Sequence, residues 1–211
     1  RGRLAQIHID LLNAGAASVS WVAVFSEPDR FGGDAAFAEA LSYLPSVIAM
    51  FETDGFLEVP RTEGTVILGE EVGGIMAAGV TQNIKVLRDA ALQGIVSAPV
   101  DVDNLVRRMP LLMRSPEGWM ASFGTQMLKA VTRTNTYVIT ANETGIQEIR
   151  VKQLNPIPTD SDGRVWVNWV VPHGTSLSEM DVAGKMVVVG TTAKGILPQV
   201  ATPAGLLYPH Q

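Results

Sequence analysis

Apolar positions in the first half of the chain follow a helical rhythm broken by short unbroken runs. Leu4, Ile7, Leu11 and Leu12 recur at helical spacing, with Asp10 and Asn13 on the other side. That spacing predicts an amphipathic helix, which Gly15 can end in a left-handed cap. Val19 to Phe25 is a near-continuous apolar run of strand length, stopped by Ser26-Glu27-Pro28. Such a run suits a strand covered on both faces. Asp34 is placed to cap a second helix whose Phe37, Ala40, Leu41 and Leu44 form one stripe ended by Pro45. Val47 to Phe51 follows as a strand. Asn83 then precedes a third helix through Ile84, Leu87, Ala91 and Leu92, closed by Gly94.

Residues 52–83 break the rhythm. They are rich in Gly and Glu and hold only short apolar runs such as Val66-Ile67-Leu68, so they read as a long surface excursion. Ile95 to Pro99 and Val106 to Met113 read as two strands joined by an Asp-rich turn. Trp119 to Val131 reads as a fourth helix with Phe123, Met127, Ala130 and Val131 on its apolar face. From there strands dominate: Tyr137–Thr140, Ile146–Lys152, Val165–Val171 and Met186–Val189, with Asp162-Gly163 as a hairpin-type turn. The pattern predicts one α/β domain over 1–211, with a mixed β-sheet flanked by helices on both faces and a hairpin-rich C-terminal half.

Composition narrows the function. A net charge of -5 with 16 scattered basic residues argues against nucleic acid as a partner. The chain has no cysteine, which suits an oxidising compartment. No run of about 18 apolar residues exists, so nothing in it spans a bilayer as a helix, and no signal-peptide pattern occurs. The chain opens with Arg1-Gly2-Arg3-Leu4 in mid-helix. It is expected to be an excised piece of a protein anchored in the membrane through segments outside it.

Few motifs carry chemistry. His8, His173 and His210 have no paired spacing, and without cysteine a zinc site is not expected. Asp101-x-Asp103-Asn104 and Asp160-x-Asp162-Gly163 resemble the start of calcium loops but lack the glutamate at the twelfth position. They read as turns built on Asp side chains and positive φ. Gly190-Thr191-Thr192-Ala193-Lys194-Gly195 has its lysine before the second glycine, where a P-loop lysine does not lie. No Gly-x-Ser-x-Gly elbow is present, and no catalytic residue, metal site or cofactor is predicted. What remains is polar loops after strands: Glu27 and Asp29, then Asp101 to Arg108, then Thr191 and Thr192. Open α/β sheets bind ligands beyond the carboxyl ends of their strands. If the strands at 19–25 and 186–189 are parallel neighbours, the first and last loops converge. Arg107 and Arg108 point to opposite faces of a regular strand, so one is expected to pair with the Asp turn while the other faces outward. A purely structural Asp–Arg network competes with the binding reading.

Taken in order, Phe25 to Asp29, then Asp101, Asp103, Arg107, Arg108, Pro110 and Leu111, then Asp160 to Arg164, then Gly184-Lys185, Gly190, Thr192, Ala193, Gly195, Thr202 and Pro203 resemble the second type of CHASE domain. The sequence departs from that pattern in four ways. A first strand and a Trp-Pro-Trp segment would precede Arg1, Val22 replaces an acidic residue, Asn104 stands where glycine is usual, and no acidic residue lies between Gly195 and Thr202. The resemblance implies a non-catalytic, extracytoplasmic sensory domain on the periplasmic or extracellular face of a bacterial inner membrane. Its parent would carry an adenylate or guanylate cyclase, histidine kinase or diguanylate cyclase output. The candidate ligand-binding residues are Glu27, Asp29, Asp103, Arg107, Arg108, Thr191 and Thr192. They suit a small polar or zwitterionic molecule held by an Arg fork, with a carboxylate-bound metal ion as runner-up. A periplasmic protein partner or a homodimer, with Phe56, Leu57, Ile75 and Met76 in the contact, is the alternative. A small hydrolase or transferase using the Asp101/Asp103 and Thr191/Thr192 loops is the other alternative.

Overall fold

The computed structural model describes residues 1–53, 63–70, 73–97, 99–169, 181–191 and 199–207. The opening amphipathic segment forms α1 (Gly2–Asn13), with Ala5, His8 and Leu11 on its buried face. Gly15 follows at φ 84 as the left-handed stop. The apolar run that follows is a strand only over β1 (Ser18–Trp21). Next come α2 (Asp34–Ser42), β2 (Ser46–Glu52), β3 (Gly64–Gly69), β4 (Val80–Thr81), α3 (Lys85–Arg88) and β5 (Leu92–Ile95). The rest comprises β6 (Arg108–Pro110), β7 (Leu112–Ser115), β8 (Gly118–Ala121), α4 (Phe123–Thr132), β9 (Thr136–Asn142) and β10 (Gly145–Val151). The last strands are β11 (Ile157–Pro158), β12 (Arg164–Trp166), β13 (Met186–Val189), β14 (Val200–Thr202) and β15 (Gly205–Leu207).

The central sheet runs β13-β1-β2-β5 with every pair parallel, and β4 adds antiparallel to the end of β2. Alternate residues of its strands serve two clusters, as the two-residue period requires. Val19, Trp21 and Ile48 pack with Leu11 of α1 and with Phe37 and Leu41 of α2. Val22, Val47 and Ala49 pack with Phe123, Met127 and Ala130 of α4. Phe37 and Leu41 are essentially fully buried, and each such side chain contributes about 1.5–3 kcal/mol.

Two polar groups are built into this core. His8 is fully buried. The Trp21 indole N–H donates to its Nδ1 at 3.2 Å, so the neutral ring carries its proton on Nε2. That nitrogen faces Ser46 Oγ at 3.4 Å, and Ser46 in turn donates to the Leu44 carbonyl at 2.8 Å. Burial pushes the His8 pKa down to about 4. The second group is Asn83, 2 % exposed. Past Trp21 the chain leans toward β13, where Val22 N–H donates to Val189 O at 2.8 Å. The Ala49 carbonyl of β2 then has no β1 partner. Asn83 Nδ2 fills the gap, donating to Ala49 O at 2.9 Å and to Gln93 Oε1 at 2.9 Å. Its Oδ1 accepts the Phe25 N–H at 2.8 Å.

A second sheet runs β11-β10-β9-β3. Tyr137, Ile139, Ile146, Ile149 and Val151 form its core with Leu111, Leu112 and Trp119 of the β7–β8 hairpin. Helix α4 joins the two sheets. Gln126 accepts the Tyr137 hydroxyl at 2.6 Å and donates to Glu63 at 2.7 Å, and Lys129 pairs with the same Glu63. The pattern of elements is α/β with mixed sheets.

Several sequence expectations need correction. Gly64–Gly69, inside the supposed excursion, is a strand parallel to β9; it looked irregular because only one apolar residue, Ile67, turns inward. Residues 54–62, including Phe56 and Leu57, and residues 71–72 lie outside the described residues. The third helix is a single turn, and Gly94 lies within β5 rather than closing a helix. A Cβ at Gly94 would meet the Phe123 Cα at 2.6 Å, so glycine marks a close approach of α4 to the sheet. Trp119 to Ala121 is strand, with the helix beginning only at Phe123. The two strands around the Asp-rich turn do not pair with each other. β5 pairs with β2, and β6 pairs with β12. Asp34 accepts the Asp29 N–H at 2.8 Å rather than capping its own helix. Residues 170 and 171 of the proposed Val165–Val171 strand lie outside the described residues.

The His8 site makes stability depend on pH. The folded pKa lies below the ordinary 6.5, so the unfolded chain takes up a proton that the folded one refuses. The contribution is complete above about pH 6.5 and is lost as pH falls toward 4, to a total of about 3 kcal/mol. Thermal unfolding followed at pH 7, 6 and 5 is expected to show this loss. The variant His8→Gln is expected to flatten it. An unchanged slope in that variant would contradict the assignment.

Candidate functional site

Parallel strands deliver their carboxyl ends to one side of the central sheet. β13 therefore leads to Gly190 and Thr191, β1 to residues 22–33, β2 to Glu52 and Thr53, and β5 to the 96–107 loop. β1 and β13 are parallel neighbours, Ser18 opposite Met186 and Trp21 opposite Val189. The loops carrying Glu27 and Thr191 thus leave the sheet at the same end. Thr192 and the Ala193–Gly195 turn lie outside the described residues.

The first loop is organised by Asp29. Its Oδ1 accepts the Phe31 N–H at 3.2 Å and its Oδ2 the Gly33 N–H at 3.1 Å. The main-chain nitrogen of Arg1 also lies 2.8 Å from Oδ2. The Arg1 guanidinium pairs with Asp34 and lies 5.1 Å from the Phe25 ring centroid. Glu27 is exposed, and its carbonyl rather than its carboxylate meets Arg1.

The second loop is a tight turn. Asn104 N–H donates to Asp101 O at 2.9 Å, and Leu105 O accepts the Asp101 N–H at 2.9 Å. Asn104 sits at φ 60, which accounts for a residue that tolerates the left-handed region at this position. Both arginines pair with carboxylates, which corrects the expectation that one faces outward alone. Arg107 grips Asp103 through Nε at 2.9 Å and Nη2 at 2.7 Å, in an exposed pair. Arg108 is held by Asp101, reaches Asp160 at 2.8 Å, and lies over the Trp166 ring at 5.4 Å. Arg164 adds contacts to Asp160 and Asp162, each at 2.9 Å. Three carboxylates thus share two guanidiniums. The Arg108 guanidinium is the main force holding the Asp101 carboxyl below the usual carboxylate range, and Arg107 does the same for Asp103.

The structure therefore assembles two groups. Glu27 and Asp29 belong to one; Asp103, Arg107 and Arg108 belong to the other. No hydrogen bond or ion pair among the described residues links them. No group of three metal-ligating side chains occurs among the described residues. Asp160, Asp162 and Arg164 were absent from the sequence-derived candidates although their Asp-x-Asp-Gly-Arg spacing was visible. What sequence could not show is that β6 and β12 pair side by side. Trp166, at the end of that pair, is 72 % exposed.

Arg107 and Arg108 are expected to differ sharply. Arg108→Ala leaves the largely buried Asp101 without its main partner, at a cost of about 2–3 kcal/mol after allowing for partial exposure. Arg107→Ala removes an exposed pair and is expected to cost under about 1 kcal/mol. Urea denaturation of both variants checks this, and equal losses would show that Arg108 is no more structural than its neighbour.

Among the described residues no helix is long and apolar enough to cross a membrane. No curated protein and no solved structure matches the chain. A family model does, over residues 1–210, and its description is CHASE2 domain. With a match across essentially its whole length, the chain belongs to the CHASE2 family, the extracellular sensory domains of signalling proteins.

Proposed function

We propose that this domain is the periplasmic input module of a bacterial transmembrane protein whose output is a cyclase (adenylate, guanylate or diguanylate) or a histidine kinase. It carries no catalysis of its own and relays ligand binding across the membrane. The observation that carries the reading is the parallel pairing of β1 with β13, which sends the Glu27–Asp29 loop and Thr191 out at one end of the sheet. In open α/β sheets that end of the parallel strands is where ligands bind.

The ligand class follows from the charges. Arg108 is locked in its network, so it positions rather than binds. The Asp103–Arg107 pair is exposed and worth little by itself. A small zwitterion exchanges for it without loss, its carboxylate taking the Arg107 fork and its ammonium meeting Asp103. Glu27, Asp29 and Thr191 supply further polar groups from loops at the same end of the sheet. Signalling then requires that the ligand bind two conformations with different affinity.

A second reading is dimerisation. β3 is an edge strand of its sheet among the described residues. Val66 and Leu68 on it are 46 % and 48 % exposed, and nearby in sequence Met76 is 56 % exposed. Exposed apolar edges invite pairing.

Thermal unfolding in the presence of a panel of amino acids and related zwitterions tests the first reading. A ligand at a hundred times its Kd is expected to add about 2.7 kcal/mol of stability, and Arg107→Ala is expected to abolish that gain while the protein stays folded. Sedimentation tests the second. Turnover in phosphatase, esterase or nucleotide assays, lost in Asp103→Asn, would contradict the non-catalytic reading.

A further inference from the structure

Trp166 is 72 % exposed, yet it is not loose. It lies directly opposite Arg108 in the β6–β12 pair, and the Arg108 guanidinium covers its ring at 5.4 Å from the centroid. Asp101 and Asp160 anchor that guanidinium in turn. One side of the indole is therefore pinned to a fixed cation while most of its area meets solvent. The ring borders a cleft of about 350 Å3, whose walls include Arg107, Asn168, Trp169 and Pro203. The Trp169 indole N–H is a donor with no partner among the described residues.

The charges select the ligand. A lone anion finds no net positive charge in this wall, because Arg107 is neutralised by Asp103, and a zwitterion exchanged onto that pair leaves the Trp166 face open. A second cation is disfavoured on Trp166, because Arg108 already occupies the electron-rich ring. A neutral molecule remains, with one flat apolar face for the indole and hydroxyls for Asn168. We propose that the Trp166–Trp169 cleft is a carbohydrate subsite that takes a neutral pyranose. The C–H face of the sugar stacks on Trp166. Its hydroxyls exchange hydrogen bonds with the exposed Asn168 amide. A preformed ring held by Arg108 loses little freedom on stacking, and the cleft volume suits one or two sugar rings. The proposal rests on the sensory reading only for its biological role; the binding chemistry stands by itself.

The indole N–H signals of the four tryptophans report each site separately in an NMR titration of the purified chain with cellobiose and with chitobiose. Saturable shifts of Trp166 and Trp169 are expected for at least one sugar, with Trp21 and Trp119 unmoved. Trp166→Ala is expected to weaken binding about tenfold or more. Asn168→Ala keeps the platform and is expected to weaken it less. An unchanged melting temperature in Asn168→Ala shows that its loss is not unfolding. The proposal is overturned if neither sugar moves Trp166 or Trp169, or if Trp166→Ala binds as tightly as the parent. It is also overturned if a proline-rich peptide saturates the cleft while both sugars fail. A topology reporter fused to the full-length protein tests the sensory reading apart from these outcomes. Export without sugar binding removes the cleft proposal alone.

Discussion

The side chain of Asn83 is the point on which the central sheet turns. β1 and β2 pair only as far as Trp21 and Ile48. Beyond that the first chain leans toward β13, and the second continues toward β4. Two buried backbone groups, Phe25 N–H and Ala49 C=O, face the wedge between them. A single carboxamide supplies both an acceptor and a donor, and it does so at 2.8 and 2.9 Å. Each group left unmet would cost about 1–3 kcal/mol. Aspartate offers only acceptors and leucine offers neither. The wedge is also where the first polar loop begins, so the position of Glu27 and Asp29 depends on a residue in a different part of the chain.

A second constraint is carried by α4. Its Phe123, Met127 and Ala130 face the central sheet, and Leu128 packs on the core of the other. Gln126 and Lys129 tie Tyr137 and Glu63 to the same helix. A shift of one sheet must therefore move the helix or break a buried hydrogen bond. Packed interiors respond to such demands by switching between discrete arrangements rather than by bending. The Arg108 network is the counterpart at the opposite margin, tying the Asp-rich turn to β12.

Much of this was legible in the sequence, for identifiable reasons. α1 was expected from its stripe at Leu4, Ile7, Leu11 and Leu12, and β13 with its observed bounds, because an amphipathic stripe and a short apolar run are strong local signals. The strand expected over Tyr137–Thr140 falls within β9. Gly94 misled, since a glycine demanded by the nearness of Phe123 looks the same in sequence as a helix stop. Trp119 to Ala121 misled because three apolar residues ahead of a helix carry no period of their own. At the candidate site the turn at Asp101–Asn104 was readable from its residue types. The sharing of Arg108 between Asp101 and Asp160 was not, because three of the second sheet's four strands lie between those carboxylates in sequence. Asn83 was visible only as a residue before a helix. Its role depends on Phe25, Ala49 and Gln93, none of which is its neighbour in the chain.

Hydrogen exchange at the Phe25 amide tests the Asn83 bracket most directly. The amide lies outside regular structure, in a loop that would otherwise exchange quickly, and its only protection is the Asn83 carbonyl oxygen together with burial. It is expected to exchange as slowly as the amides of β2, and Asn83→Ala is expected to speed it about thirtyfold or more, along with the 22–33 loop. A Phe25 amide that exchanges at the same rate in the parent and in Asn83→Ala would contradict the account.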